Sequence, residues 1–167
     1  MSNLRYITSN SASSVSSMSI TDCFTSDFDL YKITMNLVEF SDGDMFFRFI
    51  SSAGNTIATS KYDDAVHLQR SYGNFADNYG QDQDKLGSIG YDNLQKGGAN
   101  VIWVWNPYSS SHHTHAQWEN AGNSTSGTPV RRGFGVLKQR SCITGINFVG
   151  NATITNVNAR VYGLRVD

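Results

Sequence analysis

The densest apolar run in the chain is Val101-Ile102-Trp103-Val104-Trp105, entered through Gly97-Gly98 and closed by Asn106-Pro107. It is too short for a stable helix, and its β-branched and aromatic residues favour a strand. Side chains alternate across a strand, so Ile102 and Val104 share one face while Val101, Trp103 and Trp105 share the other. Both faces are apolar. The run is therefore expected in the middle of a sheet, with a second sheet over one face. Another subunit is one alternative cover for the Trp face.

Period-2 alternation recurs along most of the chain. Tyr31, Ile33, Met35 and Leu37 predict a strand over 30–40, and Met45, Phe47 and Phe49 predict the next over 45–50. Ser41-Asp42-Gly43-Asp44 between them has turn chemistry, so the two are expected to form an antiparallel hairpin. Residues 61–72 fit a helix face through Tyr62, Val66 and Gln69, or a strand through Tyr62, Asp64, Val66 and Leu68. The surrounding strands favour the strand. Residues 73–87 are polar and Gly/Asp/Asn/Gln-rich, and read as the longest loop. A strand is expected over 87–94. His112, Thr114, Ala116 and Trp118 then face one way, with His113, His115, Gln117 and Glu119 the other. Residues 142–149 and 159–166 predict two further strands. The serine-rich stretch 13–20 reads as an edge strand, and residues 2–8 as an arm that reaches a neighbouring subunit. The domain organisation expected is an N-terminal arm over 1–10 and a single domain over 11–167.

The fold class that follows is all-β: an antiparallel two-sheet β-sandwich, jelly-roll-like, with about eight to ten strands. At 167 residues the chain supplies one core. Only 16% of residues are charged, and Ser, Thr, Asn and Gly are abundant where helix formers would stand. A formal net charge of −1 provides no basic field for nucleic acid or an anionic membrane, so neither is an expected partner. Cys23 and Cys142 are the only cysteines and lack metal-site spacing. The N-terminus has no apolar core of signal-peptide length, and no run approaches the roughly 20 residues that span a bilayer. A soluble chain without a secretory signal is expected.

No catalytic motif is present. Asp63, Asp64, Asp77, Asp82 and Asp84 are explained by turns and solubility, so the chain is expected to be non-enzymatic, with no cofactor. His112, His113 and His115 cluster, but a single strand offers only two ligands where a metal needs four to six. No metal is assigned, and three such strands on an axis would be needed to complete a site. Leu4, Tyr6, Trp103 and Trp105 are candidate assembly residues, joined by Arg131 and Arg132 as interface or salt-bridge residues. Tyr72, Phe75, Tyr79, Tyr108 and Trp118 are candidate contacts to a glycan or a partner, since aromatic rings among amides hold either.

Several segments in order resemble a family of small bacteriophage virion β-sandwich proteins from phages of marine bacteria and cyanobacteria. They are Ser11-Ala12-Ser13-Ser14 leading to Ile20, then Phe28-Asp29-Leu30-Tyr31-Lys32-Ile33, then Ser51-Ser52-Ala53-Gly54-Asn55-Thr56. The strand closed by Asn106-Pro107, Ile143-Thr144-Gly145-Ile146-Asn147-Phe148 and Ala159-Arg160-Val161-Tyr162-Gly163-Leu164 complete the series. The resemblance is one of order and spacing over nearly the whole chain. It implies a virion location after assembly in the host cytoplasm, other virion proteins of the head or tail as partners, and a homotrimer. The expected role is a head decoration (cement) protein or a small tail or baseplate appendage, acting by multivalent adhesion. The alternative is a receptor-binding module whose loops 73–87 and 120–129 recognise a host surface glycan.

Overall fold

In the computed structural model, residues 3–40, 43–71, 73, 75–90, 98–122 and 127–165 are described. They form nine strands: β1 (Asn3–Ile20), β2 (Leu30–Phe40), β3 (Met45–Ser51), β4 (Tyr62–Arg70), β5 (Phe75–Gln83), β6 (Gly98–Trp105), β7 (Thr114–Gly122), β8 (Pro129–Leu137) and β9 (Ile143–Arg165). All pairings between them are antiparallel. The expected all-β antiparallel sandwich is what the chain forms.

Its two layers are unequal and continuous. The wide layer has the order β1-β9-β2-β6-β7-β8-β4-β5, and β3 pairs with β9 off this path. The first half of β9 pairs with β3 and with residues 17–20 of β1; its second half pairs with β2 and the remainder of β1. β1 and β9 thus belong to both layers and bend together where the register slips between Val15/Ser17 and Ile154/Val149. Ser14 stands beside this corner at a φ of 55°. Such irregularities let a pair of strands turn from one sheet into the next.

This corner corrects several expectations. β2 and β3 do not pair with each other. Both pair with β9, which places Phe40 opposite Ile154 and Met45 opposite Gly150, so β2 and β3 lie on either side of the corner and form no hairpin. Asn151 holds Asp44: its Oδ1 accepts the Asp44 N–H at 2.6 Å, and its own N–H donates to the Asp44 carbonyl at 3.1 Å. Gly43, at φ +97°, leaves the room that the Asn151 side chain occupies. The two strands expected over 142–149 and 159–166 are one continuous strand. The expected arm and the serine-rich strand are one element, since β1 pairs with β9 from Asn3 onward. The expected loop over 73–87 contains β5, whose polar composition suits an exposed edge. Residues 87–90 are not strand, and the rest of the strand expected over 87–94 lies outside the described residues.

The core lies between the layers. Ile33, Ile102, Val104 and Trp118 of the wide layer meet Phe47, Phe49, Ile146 and Phe148 of the narrow one, all buried. Phe47 meets Trp118 edge-to-face at 5.5 Å, and the buried Tyr62 hydroxyl accepts the Phe49 N–H at 3.0 Å while donating to the Ile57 carbonyl at 2.9 Å. These contacts join the layers and satisfy the one polar atom that Tyr62 carries inward.

Candidate functional site

The expected division of the central strand holds. β6 lies between β2 and β7, with Ile102 and Val104 in the core and Trp103 and Trp105 half-buried on the outer face. Register then extends that face across the whole layer. Opposed residues form a row Tyr6, Tyr162, Lys32, Trp103, Gln117, Phe134, Ala65, Tyr79, which crosses every strand from β1 to β5. A parallel row runs Leu4, Leu164, Leu30, Trp105, His115, Val136. Directly opposed side chains project to the same face, so both rows lie outward.

At the β1 end the side chains fill one another's space. Tyr6 meets Tyr162 edge-to-face at 5.8 Å, and Lys32 places its Nζ 5.3 Å from the centre of the Trp103 ring. Tyr6 is still 54% exposed, and Leu4 beside it is exposed as well. Trp105 leans on Phe134 at 6.3 Å, and His115 meets the same ring at 5.9 Å.

At the β5 end the row is interrupted. Ala65 stands between Phe134 on β8 and Tyr79 on β5, and these two rings are 51% and 87% exposed. The result is a slot of about 530 Å³ floored by Ala65 and Gly133. Polar groups border it. His67 Nδ1 and Asp77 Oδ1 are 2.6 Å apart, and Arg132 donates its Nε–H to Glu119 at 2.6 Å. Phe75 stacks on His67 at 6.1 Å and is exposed.

Beneath the same end, facing the interior, lies a second cleft of about 220 Å³. Its polar groups hold the fold. Arg131 is only 7% exposed, and its Nη1 donates to Asp44 at 3.0 Å and to the Gly90 carbonyl at 3.2 Å. Ser88 also donates to Asp44, at 2.9 Å. Asp64 accepts the Gly87 N–H at 2.7 Å, and burial holds its carboxyl above the usual carboxylate range. A buried guanidinium needs such partners. Arg131 is thus a salt-bridge residue inside the chain and is not presented to a neighbour, whereas Arg132 is on the surface.

The remaining candidates are dispersed. Trp118 is 1% exposed and cannot touch a glycan: its indole fills the space beneath Gly87 and Gly133, where a Cβ would fall 1.9 and 2.1 Å from ring carbon Cζ2. Tyr108 is exposed on the turn after β6, away from the slot. Tyr72 lies outside the described residues, as does part of the loop at 120–129. The histidines have separate surroundings. His112 Nδ1 lies 3.0 Å from the hydroxyls of Ser109 and Ser111, His113 Nδ1 lies 3.2 Å from the Leu137 carbonyl, and His115 joins the outer face. Among the described residues, no group of three or more His, Cys, Asp or Glu is placed to hold a metal ion. Sequence reasoning missed Ala65 and Phe134. Their signal is a small residue opposed to a large one, which shows only once register is known.

No family model and no curated protein matches the chain. Among solved structures, a galectin of Caenorhabditis elegans, LEC-6, is 8% identical with a TM-score of 0.36, covering 94% of this chain and 96% of its own. Congerin II with lactose and MES is 8% identical with a TM-score of 0.37, over 90% and 99% of the two chains. The SPBc2 prophage-derived protein YomS is 8% identical with a TM-score of 0.35, over 99% and 94%. Likeness at this level assigns no family.

Proposed function

We propose that this protein is a non-enzymatic surface component of a phage particle, a head decoration protein or a small tail appendage, that assembles as a homotrimer. The observation that carries the assembly is the β1 end of the outer face. There Leu4, Tyr6, Leu30, Trp103, Tyr162 and Leu164 lie on four adjacent strands. An exposed apolar patch of this breadth is characteristic of a protein contact surface. Its mixture of aromatic and aliphatic groups with few charges matches the centre of an interface. The phage context rests on the family resemblance carried by the order of segments along the chain.

Light scattering of the purified protein tests the first part, with a trimer mass expected. A Leu4→Asp/Tyr6→Asp variant should retain the native circular dichroism spectrum and run as a monomer. A native protein that is monomeric at high concentration refutes the trimer. Mass spectrometry of purified phage particles tests the second part, and particles lacking the protein refute the virion location.

A further inference from the structure

We infer that the slot between Phe134 and Tyr79 is a carbohydrate-binding site that takes one pyranose unit of a surface polysaccharide. The slot is argued independently of the assembly, while the choice of a bacterial surface polysaccharide as its source rests on the phage reading.

The dimensions come from the sheet. Phe134, Ala65 and Tyr79 are opposed on three successive strands, so the two aromatic residues are separated by two strand spacings, about 9.5 Å. A sugar ring stacked against an aromatic face lies at van der Waals distance from it, about 4 Å. Two walls this far apart therefore admit a single ring between them, with the Ala65 methyl as the floor. Any larger residue at 65 would close the gap. Such rings offer apolar faces and a polar edge at low cost in conformational entropy.

The rim supplies groups for hydroxyls. Asp77 and Arg132 sit beside the slot, each held by one partner: Asp77 by His67, and the Arg132 Nε–H by Glu119. The second Asp77 oxygen and the terminal Arg132 nitrogens remain to accept and donate. A carboxylate on β5 and a guanidinium on β8, on either side of His67, can together hold sugar hydroxyls, which both donate and accept.

The same geometry disfavours other occupants. β4 is paired on both sides, with β5 and β8, so its backbone groups are engaged in the ladders. An extended peptide laid over β4 would find no free backbone groups there, and strand pairing would be open to it only at the β5 edge, outside the slot. Arg132, the one Lys or Arg that lines the slot, is already paired with Glu119, and Asp77 lines it too, so little free positive charge is offered to a phosphate ester.

The test uses the full chain on an array of bacterial surface polysaccharides and their repeat oligosaccharides, followed by titration calorimetry with the strongest oligosaccharide. Native protein should bind. Ala65→Trp fills the slot from an exposed position and should abolish binding, with melting temperature and oligomer mass unchanged. Tyr79→Ala should weaken binding at least tenfold. No array signal above that of Ala65→Trp overturns the inference, as does binding that both variants retain. Light scattering of the same samples reports on assembly independently, so loss of the trimer and loss of sugar binding are read separately.

Discussion

The two ends of the outer face share one sheet, one register row and one supply of aromatic residues, yet they differ in shape. At the β1 end each large side chain is opposed by another: Tyr6 by Tyr162, Lys32 by Trp103. The surface there is filled and suits another filled surface. At the β5 end Ala65 stands where a large residue would complete the pattern, and Phe134 and Tyr79 stand apart with space between them. The polar groups follow the same division, with Asp77, His67, Arg132 and Glu119 all at the slotted end. A single small residue in a cross-strand row thus separates a filled surface from a slotted one.

That contrast requires a rigid floor under the slot, and the severest way to break it is Trp118→Ala. The indole supports β8 from below at Gly133. Its removal should cost about 3–5 kcal/mol of stability, measured by urea unfolding. A loss below about 1 kcal/mol would mean that the ring does not fill the core there. Trp103→Ala acts at the other end and should behave differently. It removes a half-exposed ring and its cation contact, so the folded chain should lose only about 1 kcal/mol, while the trimer mass falls to that of a monomer. A trimer unaffected by this change would place the contact elsewhere.

A smaller effect comes from Asp64 under the slotted end. Burial raises its folded pKa, so above the ordinary carboxylate range the folded chain holds a proton that the unfolded chain has lost. Stability from this group therefore falls as pH rises through that window and returns on acidification. Asp63, held low chiefly by Lys138, and Asp84, held low by Arg48 and Lys85 against its own desolvation, act in the opposite sense. The Asp64→Asn variant separates the contributions: its stability relative to native should be greater at pH 7 than at pH 4. Equal differences at both pH values would contradict the burial of that carboxylate. The smallest effect belongs to the rim. Arg132→Ala breaks an exposed pair with Glu119 and should change the urea midpoint by no more than about 0.5 kcal/mol equivalent, although it weakens sugar binding. A large loss of stability would make Arg132 a structural residue like Arg131.

Much of this molecule was legible from local pattern. Alternation in Ile102-Trp103-Val104-Trp105 divided the residues between two faces, and alternation in Ala116-Gln117-Trp118-Glu119 did the same for β7, although Trp118 was read as a ligand contact and lies on the core face. Both succeed because a strand's side chains switch faces at every residue whatever the strand pairs with. The preference for strand over helix at Tyr62–Arg70 also agrees with the structure. β5 escaped that reading because an exposed edge strand needs no apolar face, so Phe75–Gln83 has the composition of a loop.

What the sequence alone determined is therefore the position of most strands with an apolar face and which of their residues share a face, since both depend on neighbours within a few residues. The tertiary structure decided the rest. Turn chemistry at 41–44 is compatible with a hairpin, and only the pairing of both β2 and β3 with β9 shows that these strands form none. Arg131 and Arg132 are adjacent in the chain, yet one is buried against Asp44 and the other lies beside the slot, because the pleat sends them to opposite faces of a layer whose interior side is fixed by distant strands. Ala65, Tyr79 and Phe134 become a site only through the register of β4 with β5 and β8. β4 meets β5 across a short connection but meets β8 across the intervening β6 and β7, and no local period encodes either register.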